Sequence, residues 1–250
     1  MTAPDSATAS DTTPAPVTKS ASLWEDFIDI FISPSEVFER RRNSGFFVPL
    51  LVFAVLMTVL AIIGMPALQA VFDAEFSRQM AATMKHNPGA TAEQMAKGRA
   101  IAEKFQAVFV FFSALIAPLI VGVVLWIVGK FVDAKEDIKA ACMIATYVFF
   151  PRIIEFLVNI AQGFLLDPAS LNGHTRLSLG VGRFFDPDTV SPVLLAVVGR
   201  IDLFTIWVTV LLAIGLSVVA RIPRSRAAIA AVTVWVIGMI PAVLQALRAS

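Results

Sequence analysis

The sequence predicts an all-α, polytopic membrane protein with about five transmembrane helices, amphipathic N-terminal helices and an extramembrane helical hairpin. Three observations carry that prediction. Hydrophobic residues make up 57% of the 250 and charged residues 16%, against about 45–50% and about 25% in ordinary soluble domains. Mean hydropathy is +0.78. Several apolar stretches are long enough, at about 1.5 Å per helical residue, to cross a hydrocarbon core about 30 Å thick. So few charges could not cover that much apolar surface in water, which argues against a soluble enzyme. A formal net charge of +1 leaves no electrostatic footprint for nucleic acid. A lone cysteine, Cys142, excludes an internal disulfide framework. With only His86 and His174 beside it, a soft-ligand metal site is a poor fit and no cofactor is expected.

Residues 1–21 are rich in Ser, Thr, Ala, Pro and Asp. They lack the basic and apolar regions of a secretory signal peptide, and such a composition predicts a disordered tail. Residues 22–45 read as two short cytoplasmic amphipathic helices. Ser22 to Glu25 fits a capping box, and Ser33 to Glu36 repeats it with Pro34 at the first helical position. Trp24, Phe27, Ile28 and Phe31 share one helical face, with Glu25, Asp26 and Asp29 off it. Interfacial anchors are usually basic, so this acid-backed stripe is expected to pack on the protein's own base. Arg40, Arg41 and Arg42 end the second helix, where the helix dipole favours cations, and Gly45 can stop it.

Residues 46–247 form the five-span domain, with spans at about 46–65, 106–129, 140–165, 203–220 and 227–247. Pro66 is expected to mark a bend or boundary. Residues 67–104 then read as a helical hairpin. Its first arm carries Leu68, Phe72, Phe76, Met80 and Met84, the turn is Asn87-Pro88-Gly89, and Thr91 to Gln94 caps the second arm. The methionine stripe is expected to be the seam of the hairpin, although it could also meet a partner. An outer loop, 166–198, carries the turn signals Asp167-Pro168, Asn172-Gly173 and Asp186-Pro187, and Ser191-Pro192 can start a short helix. Pro118, Pro151 and Pro241 interrupt later spans, as membrane helices tolerate, and Gly122, Gly129, Gly215 and Gly238 suit close helix packing.

Compact basic segments at Arg40–Arg42, Lys130–Lys139 and Arg221–Arg226 abut one side of this arrangement. By the positive-inside rule the N-terminus lies in the cytoplasm and the C-terminus outside. Arg78, Lys85, Lys97, Arg99 and Lys104 in the hairpin, with Arg176 and Arg183 in the loop, pull the other way.

The third span carries the candidate intramembrane polar site. Arg152, Glu155, Asn159 and Gln162 are spaced +3, +7 and +10, within one helical stripe. A central Arg or Asp facing lipid costs about 2.5–3.5 kcal/mol on translocon scales, so the stripe must face protein or a watery cavity. An ion, headgroup or solute pathway and a structural Arg152–Glu155 pair are both consistent with it. Asp202 opens the fourth span and reads as an interfacial anchor, within reach of Arg152 or of its own helix end. No Gly-x-Ser-x-Gly elbow, His-Glu-x-x-His or P-loop is present, and no carboxylate pair is set for acid–base work, so no enzyme is expected.

Ile32-Ser33-Pro34-Ser35-Glu36-Val37-Phe38-Glu39-Arg40, followed by Phe47-Val48-Pro49-Leu50, resembles the start of bacterial members of the Yip family. Ala145-Thr146-Tyr147-Val148-Phe149-Phe150-Pro151-Arg152 and the run from Ile201-Asp202-Leu203-Phe204 to Gly215-Leu216-Ser217, with Trp235, resemble it too. The resemblance spans roughly residues 30–247. It implies five spans, a cytoplasmic N-terminus and an outward C-terminus, in a bacterial cytoplasmic (inner) membrane. It does not carry over the small-GTPase partners of eukaryotic relatives. The expected function is a non-enzymatic membrane scaffold or adaptor; the alternative is a transporter or lipid-handling protein using the polar stripe. Expected partners are membrane lipids and an unidentified protein, with homo-oligomerisation left open and nucleic acid not expected.

Overall fold

The computed structural model describes residues 22–87, 89 and 91–249; the N-terminal tail expected at 1–21 lies outside them. Ten α-helices follow in order among the described residues: α1 (Leu23–Ile32), α2 (Pro34–Arg41), α3 (Phe47–His86), α4 (Ala92–Lys104), α5 (Gln106–Lys130), α6 (Ile138–Val148), α7 (Pro151–Leu165), α8 (Pro192–Val198), α9 (Leu203–Ala220) and α10 (Arg224–Ala249). Five elements are long and apolar enough to cross a membrane: α3, α5, the α6–α7 pair, α9 and α10.

Pro66 is not a boundary. Helix α3 runs through it as one 40-residue helix, so the first span and the first arm of the hairpin are a single rod. A proline deletes one backbone hydrogen bond, and neighbouring helices in a membrane bundle absorb that loss. Pro151 does interrupt its span. It opens α7 after Phe149 and Phe150, where Arg152 N–H and Ile153 N–H donate to the carbonyls three residues back at 2.9 and 3.0 Å. Together the two helices still supply one stretch, Ile138–Leu165, long and apolar enough to cross a membrane.

Helices α1 and α2 do not sit beneath the spans; they are wedged between them. Phe27 stacks on Phe150 with ring centroids 4.0 Å apart, and Phe31 meets Trp207 edge-on at 5.3 Å. A Cβ on Gly215 would come within 3.0 Å of the Phe38 ring. Trp207 precedes the end of α9 by 13 residues, so the wedge reaches about 20 Å along that helix at 1.5 Å per residue. Ile30, Val37 and Phe38 are fully buried in the main core with Phe53, Tyr147, Leu211 and Leu216. The stripe expected to face the protein is therefore split. Phe27 and Phe31 point in, Trp24 and Ile28 stay 68% and 62% exposed, and Asp26 turns inward with no exposure.

The hairpin is open rather than seamed. Helix α4 buries none of its residues. The apolar faces of α3 and α4 border a groove, bridged by Arg99, which pairs with Asp73 and lies 5.0 Å over the Phe76 ring. The outer loop packs down on the bundle through three 3-10 turns, Pro168–Ser170, His174–Leu177 and Val181–Phe184. Leu171 and Leu177 are 1% and 2% exposed and seal against Ala67, Leu68, Val71 and Ile160. Gly163 permits the close approach of α7 to α3 beneath this loop, because a Cβ there would strike the carbonyl of Ala67.

Candidate functional site

Helix α7 carries the polar stripe into the bundle. Arg152 Nη1 lies 2.5 Å from Glu155 Oε2, one turn on, and its Nη2 donates to Thr205 Oγ1 at 3.1 Å. Thr205 in turn donates its hydroxyl to Asp202. Asp202 caps α9, its Oδ1 accepting from the backbone N–H of Phe204 at 2.9 Å and of Thr205 at 3.1 Å. Of the roles open to Asp202, capping its own helix is the one the geometry takes, and it reaches Arg152 only through Thr205. The chain Glu155–Arg152–Thr205–Asp202 pins α7 to the start of α9, and both acids are occupied within it.

Asn159, 8% exposed, lines the same space; its amide makes no hydrogen bond among the described residues. Gln162 leaves the stripe. Its Nε2 donates to the carbonyl of Leu177 at 2.8 Å and its Oε1 accepts from Arg183 Nη1 at 2.7 Å, so it clamps the outer loop onto α7. Arg152, Glu155, Asn159 and Asp202 thus come together, and Gln162 does not join them.

They line a cavity of about 510 Å³, bordered on the other side by the outer loop, Arg200 and the end of α10. Three buried polar atoms around it have no partner: Thr175 Oγ1, Ser178 Oγ and Arg200 Nε. Burial lowers the Arg200 pKa, and the nearby charge of Arg152 lowers it further, against the pull of Asp202 and Glu155. Neither acid lies close enough to pair with Arg200 directly. Arg200 lies two residues before Asp202 in the sequence. The connection between α8 and α9 is not helical, and from it Arg200 lines the cavity, with its Nη2 beside Gly238 of α10.

Arg152 also reaches a second space. A groove of about 1110 Å³ runs between α3, α5 and the splayed α4, walled mostly by apolar side chains that include Phe53, Met57, Phe72, Phe76 and Phe109. Arg152 lines both this groove and the polar cavity. Among the described residues no cluster of His, Cys, Asp and Glu suited to a metal ion is present.

The family model that describes the Yip1 domain matches residues 28–245, from within α1 to within α10. No curated protein and no solved structure matches the chain.

Proposed function

The chain belongs to the Yip1 domain family, and from that premise we propose that it is a non-enzymatic integral membrane protein that handles an amphiphilic lipid. An acyl chain occupies the groove between α3, α4 and α5, and the polar end of the molecule turns toward Arg152. The observation that carries this reading is the position of Arg152, which faces the apolar groove on one side and the polar cavity on the other.

The length of the groove supports it. On α3 its walls run from Phe53 to Gln79, about 40 Å at 1.5 Å per residue and longer than a hydrocarbon core of about 30 Å. Inside the bilayer an apolar groove offers a chain nothing that lipid does not. Beyond the bilayer each sheltered methylene is worth about 0.8 kcal/mol. A path that continues past the core therefore suits a chain being drawn partly out of it. The compact basic segments and the family resemblance support an N-terminus in the cytoplasm, a C-terminus outside and a bacterial cytoplasmic membrane as the location.

The test is the movement of a fluorescent phospholipid in liposomes that hold the full chain. The Arg152→Ala, Glu155→Ala double variant and the groove-filling Ala102→Trp, Ala117→Trp double variant should each slow it about tenfold or more. Rates unchanged in both reject lipid handling.

A scaffold or adaptor role is the second reading, favoured by the outward row Trp24, Ile28 and Ile32 on α1, exposed by 68%, 62% and 74%. Deleting residues 22–42 is not a clean test of it, because the same segment supplies Ile30, Val37 and Phe38 to the core. Replacing Trp24 and Ile28 with Ser leaves that core in place. Under this reading the change abolishes recovery of a protein partner from native membranes, and undiminished recovery counts against it.

A further inference from the structure

We propose that the cavity between α7, the outer loop and the α8–α9 connection is an oxyanion site that takes a phosphate group, with the Arg200 guanidinium as its principal cation. It deepens the lipid-handling reading by naming the polar end of the ligand, but its argument rests on different atoms.

The argument is a balance of donors and acceptors. A guanidinium cannot shed its proton in a protein and carries only donors. Arg200 Nε is buried and unpartnered, and among the described residues no carboxylate pairs with the side chain. The nearby carboxylates have other partners. Glu155 Oε2 is held by Arg152, and Asp202 accepts from two backbone N–H groups and the Thr205 hydroxyl. Glu75, at the rim, accepts the N–H of His174 at 2.7 Å. Donors around the cavity without a partner among the described residues include Arg200 Nε, the hydroxyls of Thr175 and Ser178, and the amide of Asn159. All four can donate, and an isolated charge kept this way is costly unless something outside the chain matches it. The complement is an anion rich in acceptors.

Phosphate fits better than a carboxylate. The donors come from three separate segments: α7, the 3-10 turn His174–Leu177 with Ser178 just beyond it, and the residue two before Asp202. Donors supplied by three segments suit a group with three or four acceptor oxygens more than one with two. The fork of an arginine also matches phosphate geometry. A volume of about 510 Å³ holds the group together with an attached glycerol-sized fragment, and the phosphate could belong to a phospholipid or to a free phosphate ester.

The test uses the purified full chain in a phosphate-free detergent buffer, with three probes: inorganic phosphate, glycerol 3-phosphate and phosphatidylglycerol, with diacylglycerol as the uncharged control. Binding is read by calorimetry for the soluble probes and by native mass spectrometry for the lipids. At least one phosphate probe should bind, diacylglycerol should not compete with it, and Arg200→Gln should weaken that binding about tenfold or more. Arg200→Lys, which keeps the charge and loses the fork, should weaken it less. If Arg200→Gln does not fold, the Ser178→Ala, Thr175→Val double variant takes its place, with an expected loss of about three- to tenfold. Binding of soluble phosphates without the lipid supports this site and removes the lipid-handling reading. Binding of phosphatidylglycerol alone supports both. Loss of lipid binding in Ala102→Trp, Ala117→Trp with glycerol 3-phosphate still bound separates the groove from the phosphate site. The proposal is overturned if no phosphate probe binds, or if binding is the same in wild type, Arg200→Gln and the hydroxyl variant.

Discussion

The hydroxyl of Tyr147, the only tyrosine in the chain, donates to Asp26 Oδ2 at 3.0 Å across 121 positions of sequence. Asp26 has no exposed surface, and it also accepts from Arg40 Nε at 2.8 Å and Arg41 Nε at 2.6 Å. Arg40 reaches on to Asp29 at 2.6 Å. One carboxylate therefore joins α1 to α2 and locks both to α6. The wedge is held in the bundle by charge as well as by the packing of Phe27, Ile30 and Phe38.

The first prediction concerns that carboxylate. Removing one partner of a buried ion pair costs about 3–5 kcal/mol, because the other charge is left uncompensated. Arg40 and Arg41 keep some contact with water, their side chains 27% and 19% exposed, so Asp26→Asn should cost toward the lower end. Tyr147→Phe removes one hydrogen bond to a charged group, worth about 1.5–3 kcal/mol. Thermal unfolding in detergent should rank wild type above Tyr147→Phe and Tyr147→Phe above Asp26→Asn. An Asp26→Asn variant as stable as wild type would show that the cluster does not hold the wedge.

The five spans, the capping boxes at Ser22 and Thr91 and the Arg152–Glu155 pair are legible in the sequence because they are local, whereas the box expected at Ser33 does not form, its side chain making no cap bond. Apolar run length decides the spans, and three- or four-residue spacing decides the caps and the pair. The wedge is not legible, because its decisive contact joins Asp26 to a residue 121 positions away. Helical periodicity ranks Asp26 as a solvent-facing acid, and only the lone tyrosine inside an apolar span hinted that it needed a buried partner. The hairpin misleads for a related reason. A stripe at every fourth residue shows that a face is apolar, and nothing in it says whether that face meets its own second arm or borders a groove. The place of Arg200 at the cavity is not legible, because it depends on the non-helical connection between α8 and α9.

The second prediction is a pH dependence. Both carboxylate oxygens of Glu136 are buried without a partner in the α5–α6 connection, and burial raises the pKa of the group. A carboxyl whose folded pKa lies above its unfolded value favours the folded state below the unfolded pKa. That advantage is lost as pH rises through the folded pKa. Glu136→Gln should therefore unfold at the same temperature as wild type near pH 4. At pH 8 it should be more stable, by about 2–4 °C for each kcal/mol relieved in a chain of this size. A variant less stable than wild type at pH 8 would mean that the carboxylate is charged and satisfied.

The third prediction pairs two glycines. A Cβ on Gly163 would strike the backbone carbonyl of Ala67, so Gly163→Ala must part α7 from α3. Overpacking of this kind costs about 1–3 kcal/mol. Gly98, in the middle of α4, has open space around its missing Cβ. Gly98→Ala should gain about 0.5–1 kcal/mol from helix propensity alone. Chemical or thermal unfolding of both variants should move in opposite directions. Equal shifts would mean that α3 and α7 are not in close contact at this level.

The fourth prediction tests whether α4 is a movable wall. It buries no residue, and Arg99 ties it to α3 through Asp73 and the Phe76 ring, while Glu103 pairs with Arg99 at 2.6 Å within α4. Arg99 is partly exposed, so its loss should cost little global stability. Its local effect should be larger, because an element with few buried contacts opens independently of the core. In Arg99→Ala, amide hydrogen exchange should accelerate across residues 92–104 while α6 and α9, which supply the main core, keep their wild-type protection. If the groove admits a chain by the swing of α4, the same variant should also speed phospholipid entry, opposite in sign to Ala102→Trp, Ala117→Trp. Unchanged exchange in α4 would make it a fixed wall, and acceleration spread equally over all helices would make Arg99 a determinant of global stability rather than a latch.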